Sequence, residues 1–195
     1  MAGERRREIL QIAIEIIADE GYSSLSMRSL ARASGMKLGA LQYHFRTWEE
    51  LLRALVGLIE QQIKNEWAHR GLNDGPTVYD IAVFMLEETS APGDTLLNDR
   101  LWPQLWAMEQ VEPLVSDLLE EVYAEYLKFL ITAMEKAGAD SPQGEALCLM
   151  SMLEGESLFT GEGRRWEKDR GLVRDTILKF VENRYGGADK LVLTS

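Results

Sequence analysis

The sequence has a single cysteine and lacks any apolar run near the roughly 18 to 20 residues that cross a membrane. One thiol, Cys148, cannot close a disulfide within the chain or supply a paired-cysteine metal site. Its apolar neighbours predict a buried, inert side chain. The charged segment 1–8 is not followed by the apolar stretch of a secretion signal. These absences predict a cytoplasmic protein without a metal, a cofactor or a membrane partner.

Catalytic patterns are missing as well. The two histidines are His44 and His69, and the sequence contains no nucleophile elbow, phosphate-binding loop or zinc-protease motif. A catalytic nucleophile or base needs neighbouring groups that orient and activate it. An enzyme is therefore a remote alternative, and a binding function is favoured.

Charge is divided unevenly along the chain, which carries a net charge of −11. Residues 1–54 hold eight basic and seven acidic side chains, whereas the remainder holds 13 basic and 25 acidic ones. Because phosphate repels an acidic surface, we expect only the N-terminal part to meet a nucleic acid.

Apolar residues recur with helical spacing throughout the chain, and no long segment alternates apolar and polar residues as a half-buried strand would. The first apolar stripe comprises Ile9, Ile12, Ala13, Ile16 and Ile17. Turn-forming residues at 73–76 and 138–142 separate later helices, and Pro113 is suited to open another. The pattern predicts an all-α fold.

Two short helices with a glycine between them follow the first stripe. Ser26 is a suitable N-cap for the first of them, and Gly35 allows the turn before a helix over about 37–45. Thr47 and Glu50 form a capping-box pattern at the start of a long helix. The seam between the short helices is predicted to consist of Leu30, Ala31 and Leu41. This arrangement predicts a helix-turn-helix unit, whose last helix enters the major groove of DNA.

Three segments of the chain, 9–18, 26–31 and 35–51, together with Gly21 and Tyr22, resemble the TetR (tetracycline repressor) family of transcription regulators. The most specific parts lie in the third segment: an aromatic-rich stretch, and after it an acidic, leucine-containing helix start. The resemblance implies about nine helices in two domains. Residues 1–54 would form a TetR-type helix-turn-helix DNA-binding domain, and 55–195 a helical ligand-binding and dimerisation domain.

The partners implied by the resemblance are a double-stranded DNA operator, a small-molecule effector and a second copy of the chain in a homodimer. The implied function is that of a ligand-responsive regulator, a repressor released from a palindromic operator by a small apolar or cationic effector. The alternative is a helical small-molecule-binding or interaction module without DNA function.

The recognition helix implied by the resemblance runs from Lys37 to His44. Gln42 can pair with adenine through two hydrogen bonds, and Lys37 can reach guanine or a phosphate. Helix caps with free backbone N–H groups, together with a tyrosine hydroxyl, would hold phosphates. The predicted DNA-binding residues are Ser26, Arg28, Lys37, Leu38, Ala40, Gln42, Tyr43, His44 and Thr47.

The chain departs from the family pattern at three positions. Lys37 stands where the family commonly has serine or threonine, Gln42 where it commonly has tyrosine, and Trp48 where it commonly has lysine. The first difference removes a helix cap and the third removes a phosphate contact.

Other interpretations of this region remain open. Phe45, and also Tyr43, can be core residues rather than DNA contacts. The three arginines at 5–7 can form a DNA-contacting arm, or they can be the solvated start of a helix.

A sensing domain needs an apolar cavity with a few polar groups. The candidate ligand-binding residues are Trp67, Met85, Trp102, Trp106, Met108, Tyr123, Tyr126, Met152, Glu154, Glu156 and Phe159. Each aromatic residue or methionine in this set can instead be ordinary core. Glu154 and Glu156 are unusual in a mostly apolar helix, and either one can neutralise a cationic ligand or form part of a polar surface.

Dimerisation is assigned by family analogy to two late helices, about 141–160 and 172–185. Four helices, two from each subunit, would form the interface, with close packing at Ala146, Ser151 and Gly155. The long helix over about 47–70 would then act as the lever by which a bound effector changes the separation of the two recognition helices.

Overall fold

The computed structural model describes residues 2–86 and 100–187, and within these ranges the chain forms nine α-helices with short 3-10 turns and no strand. The helices are α1 Ala2–Glu20, α2 Met27–Ala33, α3 Leu38–His44, α4 Trp48–His69, α5 Val78–Leu86, α6 Trp102–Glu109, α7 Pro113–Lys136, α8 Pro142–Thr160 and α9 Arg170–Tyr185. The all-α prediction is confirmed.

The chain divides into two compact units. The first unit comprises 1–64 and 89–122, and the second comprises 65–88 and 123–195. Helices α4 and α7 each contribute residues to both units. The predicted functional boundary after residue 54 falls within α4, and it stays a prediction about function.

The first unit is built on the predicted apolar stripe of α1. Ile9, Ala13 and Ile17 are fully buried there, because their spacing places them on one face of the helix. Helix α2 packs against both α1 and α3. Helix α2 therefore links α1 to α3 within the first unit.

In the second unit, α5 packs against α8 and α9, and α8 packs against α9. The predicted break at 73–76 is confirmed by Gly75, whose φ of 78° suits glycine. Helix α5 starts with a reciprocal cap that sequence analysis missed. Thr77 accepts from the Asp80 backbone N–H at 3.1 Å, and Asp80 accepts from that of Thr77 at 2.9 Å.

No helix within the described ranges is both long enough and apolar enough to cross a membrane.

Candidate nucleic-acid interface

The turn between α2 and α3 is a Schellman motif. Gly35 adopts a φ of 65°, its N–H donates to the carbonyl of Arg32, and the N–H of Met36 donates to that of Ala31 at 2.8 Å. The two bonds satisfy carbonyls that α2 would otherwise leave free. The predicted role of Gly35 is confirmed, since this conformation is costly for a residue with a β-carbon.

The seam between the two short helices is also as predicted. Leu30, Ala31 and Leu41 are buried, and the small side chain of Ala31 permits close approach. Phe45, at the end of α3, is completely buried and therefore has a structural role. The inner side of α3 is thus held in a packed core, which fixes the direction of its outer side.

The outer side of α3 faces solvent. Tyr43 has 84% of its surface exposed, which excludes the core alternative for this residue. The nine predicted DNA-binding residues all belong to the first unit. Ser26, Arg28, Lys37, Ala40, Gln42, Tyr43 and Thr47 are exposed, while Leu38 and His44 are half-buried. A short helix with polar, hydrogen-bonding side chains on one free face suits insertion into a major groove.

The predicted caps before α2 and after α3 have different geometries. Ser26 caps α2 reciprocally, because its hydroxyl accepts from the N–H of Ser29 and its own N–H donates to the Ser29 hydroxyl. Thr47 accepts from the N–H of Glu50 at 3.0 Å, as predicted. The Glu50 carboxylate, however, binds the N–H of Arg46 instead of that of Thr47, so the capping-box prediction is only half right.

The N-terminal arginines belong to α1 and tie it to the helix-turn-helix. Arg5 donates to the carbonyl of Ser34 at 2.8 Å. Arg6 donates to the carbonyl of His44 at 2.6 Å and to Glu50 at 3.0 Å, with its guanidinium 4.2 Å from the centre of the Phe45 ring. A cation at the C-terminal end of α3 is favourable for the helix dipole. Arg5 therefore binds the end of α2 and Arg6 the end of α3, which replaces the hypothesis of a free arm for these two residues.

These contacts also keep Glu50 ionised. The hydrogen bonds from Arg46 N–H and then from Arg6 lower the pKa of its carboxyl group.

A carboxylate far away in sequence joins the two segments that flank the helix-turn-helix. Glu112, between α6 and α7, accepts a short hydrogen bond from the hydroxyl of Tyr22 and another from the indole N–H of Trp48 at 3.3 Å. Burial, and then the bond to Glu112, raise the pKa of Tyr22, so its hydroxyl stays protonated as a donor. Gln104 of α6 accepts from the backbone N–H of Tyr22 at 3.2 Å. Sequence analysis missed this cluster, because its members are 64 and 90 residues apart and share no pattern.

The candidate ligand-binding residues are divided between the units. Trp102, Trp106 and Met108 lie in the first unit, and the other eight lie in the second. Within the second unit, Trp67 is buried against Phe84, Tyr126 and Phe129, with ring centres 5.0 to 6.0 Å apart. Among the described residues, nothing accepts a hydrogen bond from the buried indole N–H of Trp67.

Glu156 has its countercharges within the protein. Only 6% of its surface is exposed, and its Oε1 lies 3.0 Å from Arg170 Nε and 3.4 Å from Arg174 Nε. The hydroxyl of Thr160 donates to the same oxygen at 2.6 Å. The hypothesis that Glu156 neutralises a ligand is therefore replaced by a structural role in joining α8 to α9.

Glu154 differs from its neighbour. It is half-buried, and burial raises the pKa of its carboxyl group from 4.5 to about 7, opposed by a hydrogen bond with Tyr123. A cation that approaches such a carboxyl group lowers its pKa and favours the ionised form. That Glu154 neutralises a cationic ligand therefore stays a prediction.

The raised pKa of Glu154 predicts a pH-dependent stability. Since the unfolded chain releases this proton near pH 4.5, the contribution of the protonated group is complete below that pH and is lost as the pH rises to about 7. Between pH 5 and 8, we expect the free energy of unfolding of wild type to fall by about 2 kcal/mol relative to that of Glu154→Gln. Urea denaturation at several pH values measures this difference. Glu135→Gln, which removes an exposed carboxylate of α7, is the control, and equal pH profiles for wild type and Glu154→Gln would disprove the shift.

Two clefts in the second unit, of about 700 and 260 Å³, are lined by residues of the α4–α5 connection and of α7, and the larger also by the end of α9. Neither of these two clefts is lined by any of the eleven candidate residues.

Apolar side chains are exposed along α8 and α9. They are Leu147, Met152, Leu158, Phe159, Leu172 and Phe180, and Phe159 has 62% of its surface exposed. Met152 and Phe159 lie among these exposed residues, and their selection as ligand-binding residues stays a prediction. Cys148 is exposed on α8, so the prediction of a buried thiol is wrong. Ala146 is fully buried in the protomer and is not available to an interface, whereas Ser151 is exposed.

The geometry of the first unit defines a helix-turn-helix DNA-binding protein. Residues 9–55 match the model of the family described as "Bacterial regulatory proteins, tetR family". The chain is 23% identical to the transcriptional regulator PksA of Bacillus subtilis over 92% of this chain and 89% of PksA. Residues 9–55 thus form a DNA-binding unit of the TetR type, and the chain is similar over nearly its whole length to a transcriptional regulator.

Solved structures share this fold over nearly the whole chain. A transcriptional regulator from Saccharomonospora viridis in complex with choline is 21% identical, with a TM-score of 0.70 over 92% of this chain and 96% of that one. AibR in complex with isovaleryl coenzyme A and operator DNA is 20% identical, with a TM-score of 0.66 over 94% of this chain and 99% of AibR.

Proposed function

We propose that the chain is a cytoplasmic, homodimeric repressor that binds a palindromic operator through α3 of each subunit. The observation that carries the proposal is the rigid presentation of α3, whose inner residues are fully buried while Gln42 and Tyr43 are exposed. Residues 1–54 act as the DNA-binding domain and 55–195 as the ligand-binding and dimerisation domain. The protein acts by binding and has no catalytic activity of its own.

We assign base contacts to Gln42 of α3 and to Lys37, the residue just before this helix, because an amide and an ammonium can reach purine edges in the major groove. Ser26, Thr47 and Tyr43 contact phosphates, since their hydroxyl groups and the neighbouring helix N-termini face solvent. Arg28, Leu38, Ala40 and His44 complete the groove surface.

The effector is a small apolar or cationic molecule bound in the second unit. Support comes from the half-buried Glu154 beside Tyr123, and from the aromatic cluster around Trp67, whose rings can face a cation. The two related structures described above hold choline in one case and an acyl coenzyme A in the other. An effector that binds one arrangement of the dimer more tightly shifts the separation of the two copies of α3 and releases DNA.

A selection of bound duplexes from random DNA tests the operator proposal. The expected result is an inverted repeat whose half-sites lie about one helical turn, roughly 34–36 Å, apart or a multiple of it. Titrating the selected duplex at fixed salt, with and without choline or an acyl coenzyme A, then tests release. Enrichment of no motif would contradict the proposed recognition, and enrichment of a single asymmetric site would contradict the dimer.

The dimer is proposed to form through the exposed apolar side chains of α8 and α9. We expect Phe159→Glu to shift the protein to monomers at micromolar concentration, because a carboxylate would be buried in an apolar interface without a partner. Sedimentation velocity measures the change. Val111→Glu is the matched control, since Val111 is an equally exposed apolar residue of the first unit. A Phe159→Glu protein that remains dimeric would place the interface elsewhere.

A further inference from the structure

We propose that Glu112 is a positioning residue for DNA recognition, which holds the helix-turn-helix at the angle needed for sequence-specific binding. The inference rests on the proposed operator function and adds a residue outside the predicted DNA-binding surface. The carboxylate touches no base or phosphate in this proposal, and it acts through Tyr22 and Trp48.

The two donors lie on either side of the α2–α3 pair in the chain. Tyr22 belongs to the connection between α1 and α2, and Trp48 is the first residue of α4. The α2–α3 pair is therefore inserted between the two segments that Glu112 joins. A single acceptor that binds both ends of this insertion limits how far the pair can rotate relative to α1 and α4.

Residues of α6 and its flanks also bind the α1–α2 connection and the end of α1. Gln104 accepts from the Tyr22 N–H, and Arg100, just before α6, lies 3.1 Å from Asp19 near the end of α1. A β-carbon on Gly21 would lie 3.4 Å from Gln104 Oε1, so the backbone itself approaches α6 closely. Glu112 thus adds to the contacts of Gln104 and of the Arg100–Asp19 ion pair, which together hold the connection between α1 and α2.

The carboxylate of Glu112 is chemically suited to this role. A carboxylate has two oxygens and several acceptor positions, so it can bind two donors at once, and bonds to a charged acceptor are stronger than neutral ones. Trp48 can only donate through its indole N–H. Its bond to Glu112 directs the indole N–H of Trp48, a residue that departs from the family pattern, into the first unit.

The test compares variants on two duplexes, the one selected by wild type and an unrelated one of equal length. For Glu112→Ala we expect about a tenfold loss of affinity for the selected duplex, and a change within about twofold for the unrelated one. Glu112→Gln keeps an acceptor oxygen, so we expect it to recover most of the affinity. Glu109→Gln is the control for removing one negative charge from α6, and we expect it to bind both duplexes like wild type.

A double-mutant cycle separates positioning from a loss of folded protein. In the background of Tyr22→Phe with Trp48→Phe, Glu112→Ala is expected to cause no further loss, because its donors are already gone. Titration with excess protein gives the active fraction, which a merely destabilised protein would lower without changing the dissociation constant. Additive effects, an equal loss on both duplexes, or Glu112→Ala binding within twofold of wild type would each overturn the inference. Failure of wild type to select any duplex would instead overturn the proposed operator function.

Discussion

Replacing both Gln42 and Tyr43 by alanine is expected to lower affinity for the selected operator by about 100-fold or more. A bidentate amide–adenine pair contributes about 1–3 kcal/mol of discrimination, and loss of a phosphate contact adds to it. Neither side chain belongs to the buried core, so the free energy of unfolding should change by no more than about 0.5 kcal/mol. Fluorescence anisotropy at fixed salt measures the first quantity and thermal unfolding the second.

Two comparisons make the result specific to α3. Gln143→Ala removes an exposed glutamine from α8 and should leave DNA affinity unchanged. Binding of an effector to the second unit should also survive in the double variant, because the changed residues lie in the first unit. If the double variant bound the selected duplex as tightly as wild type, the major-groove role of α3 would be untenable.

Removing the carboxylate of Glu156 is expected to produce the largest loss of stability among the variants considered. Glu156→Ala leaves the Arg170 and Arg174 guanidinium groups, which are largely buried, without the acceptor that lies between them. Breaking a buried ion pair by deleting one partner costs about 3–5 kcal/mol, since the remaining charge stays desolvated. Urea denaturation monitored by circular dichroism measures the change.

The control for this prediction is an exposed pair of the same kind. Glu60→Ala removes the partner of Lys64 on α4, and an exposed pair at this spacing contributes at most about 1 kcal/mol. Replacing Glu156, Arg170 and Arg174 together by apolar residues should restore much of the stability, because these three charges are then removed from the interior at once. A Glu156→Ala protein as stable as Glu60→Ala would refute the structural role of the cluster.

Much of the first unit follows from local patterns. Most of the α1 stripe, the Ser26 cap and the Gly35 turn are predicted correctly, because each depends on residues a few positions apart, and the seam residues Leu30 and Leu41 are buried as predicted. Ile12 of the stripe is only half-buried, whereas Ile14 outside it is fully buried. Helix periodicity and caps act over one or two turns, so a single sequence contains them.

Predictions about partners and burial were less successful. Ala146 and Cys148 lie two positions apart on α8, yet one is buried and the other exposed, the reverse of what their predicted roles required. Sequence analysis leaves Arg6 as a DNA contact or a solvated residue, and Glu156 as a ligand contact or part of a polar surface, but each binds groups within its own unit. A nearly uniform apolar helix such as α8 does not reveal by periodicity which side is covered.

Local sequence determined that the chain is helical, where its short helices begin and end, and which side of α3 is polar. The tertiary structure alone decided which charges are neutralised internally and that Glu112 meets Tyr22 and Trp48. The physical reason is range: hydrogen bonds within a helix join residues four apart, whereas side-chain pairing across a core depends on how helices distant in the chain pack together.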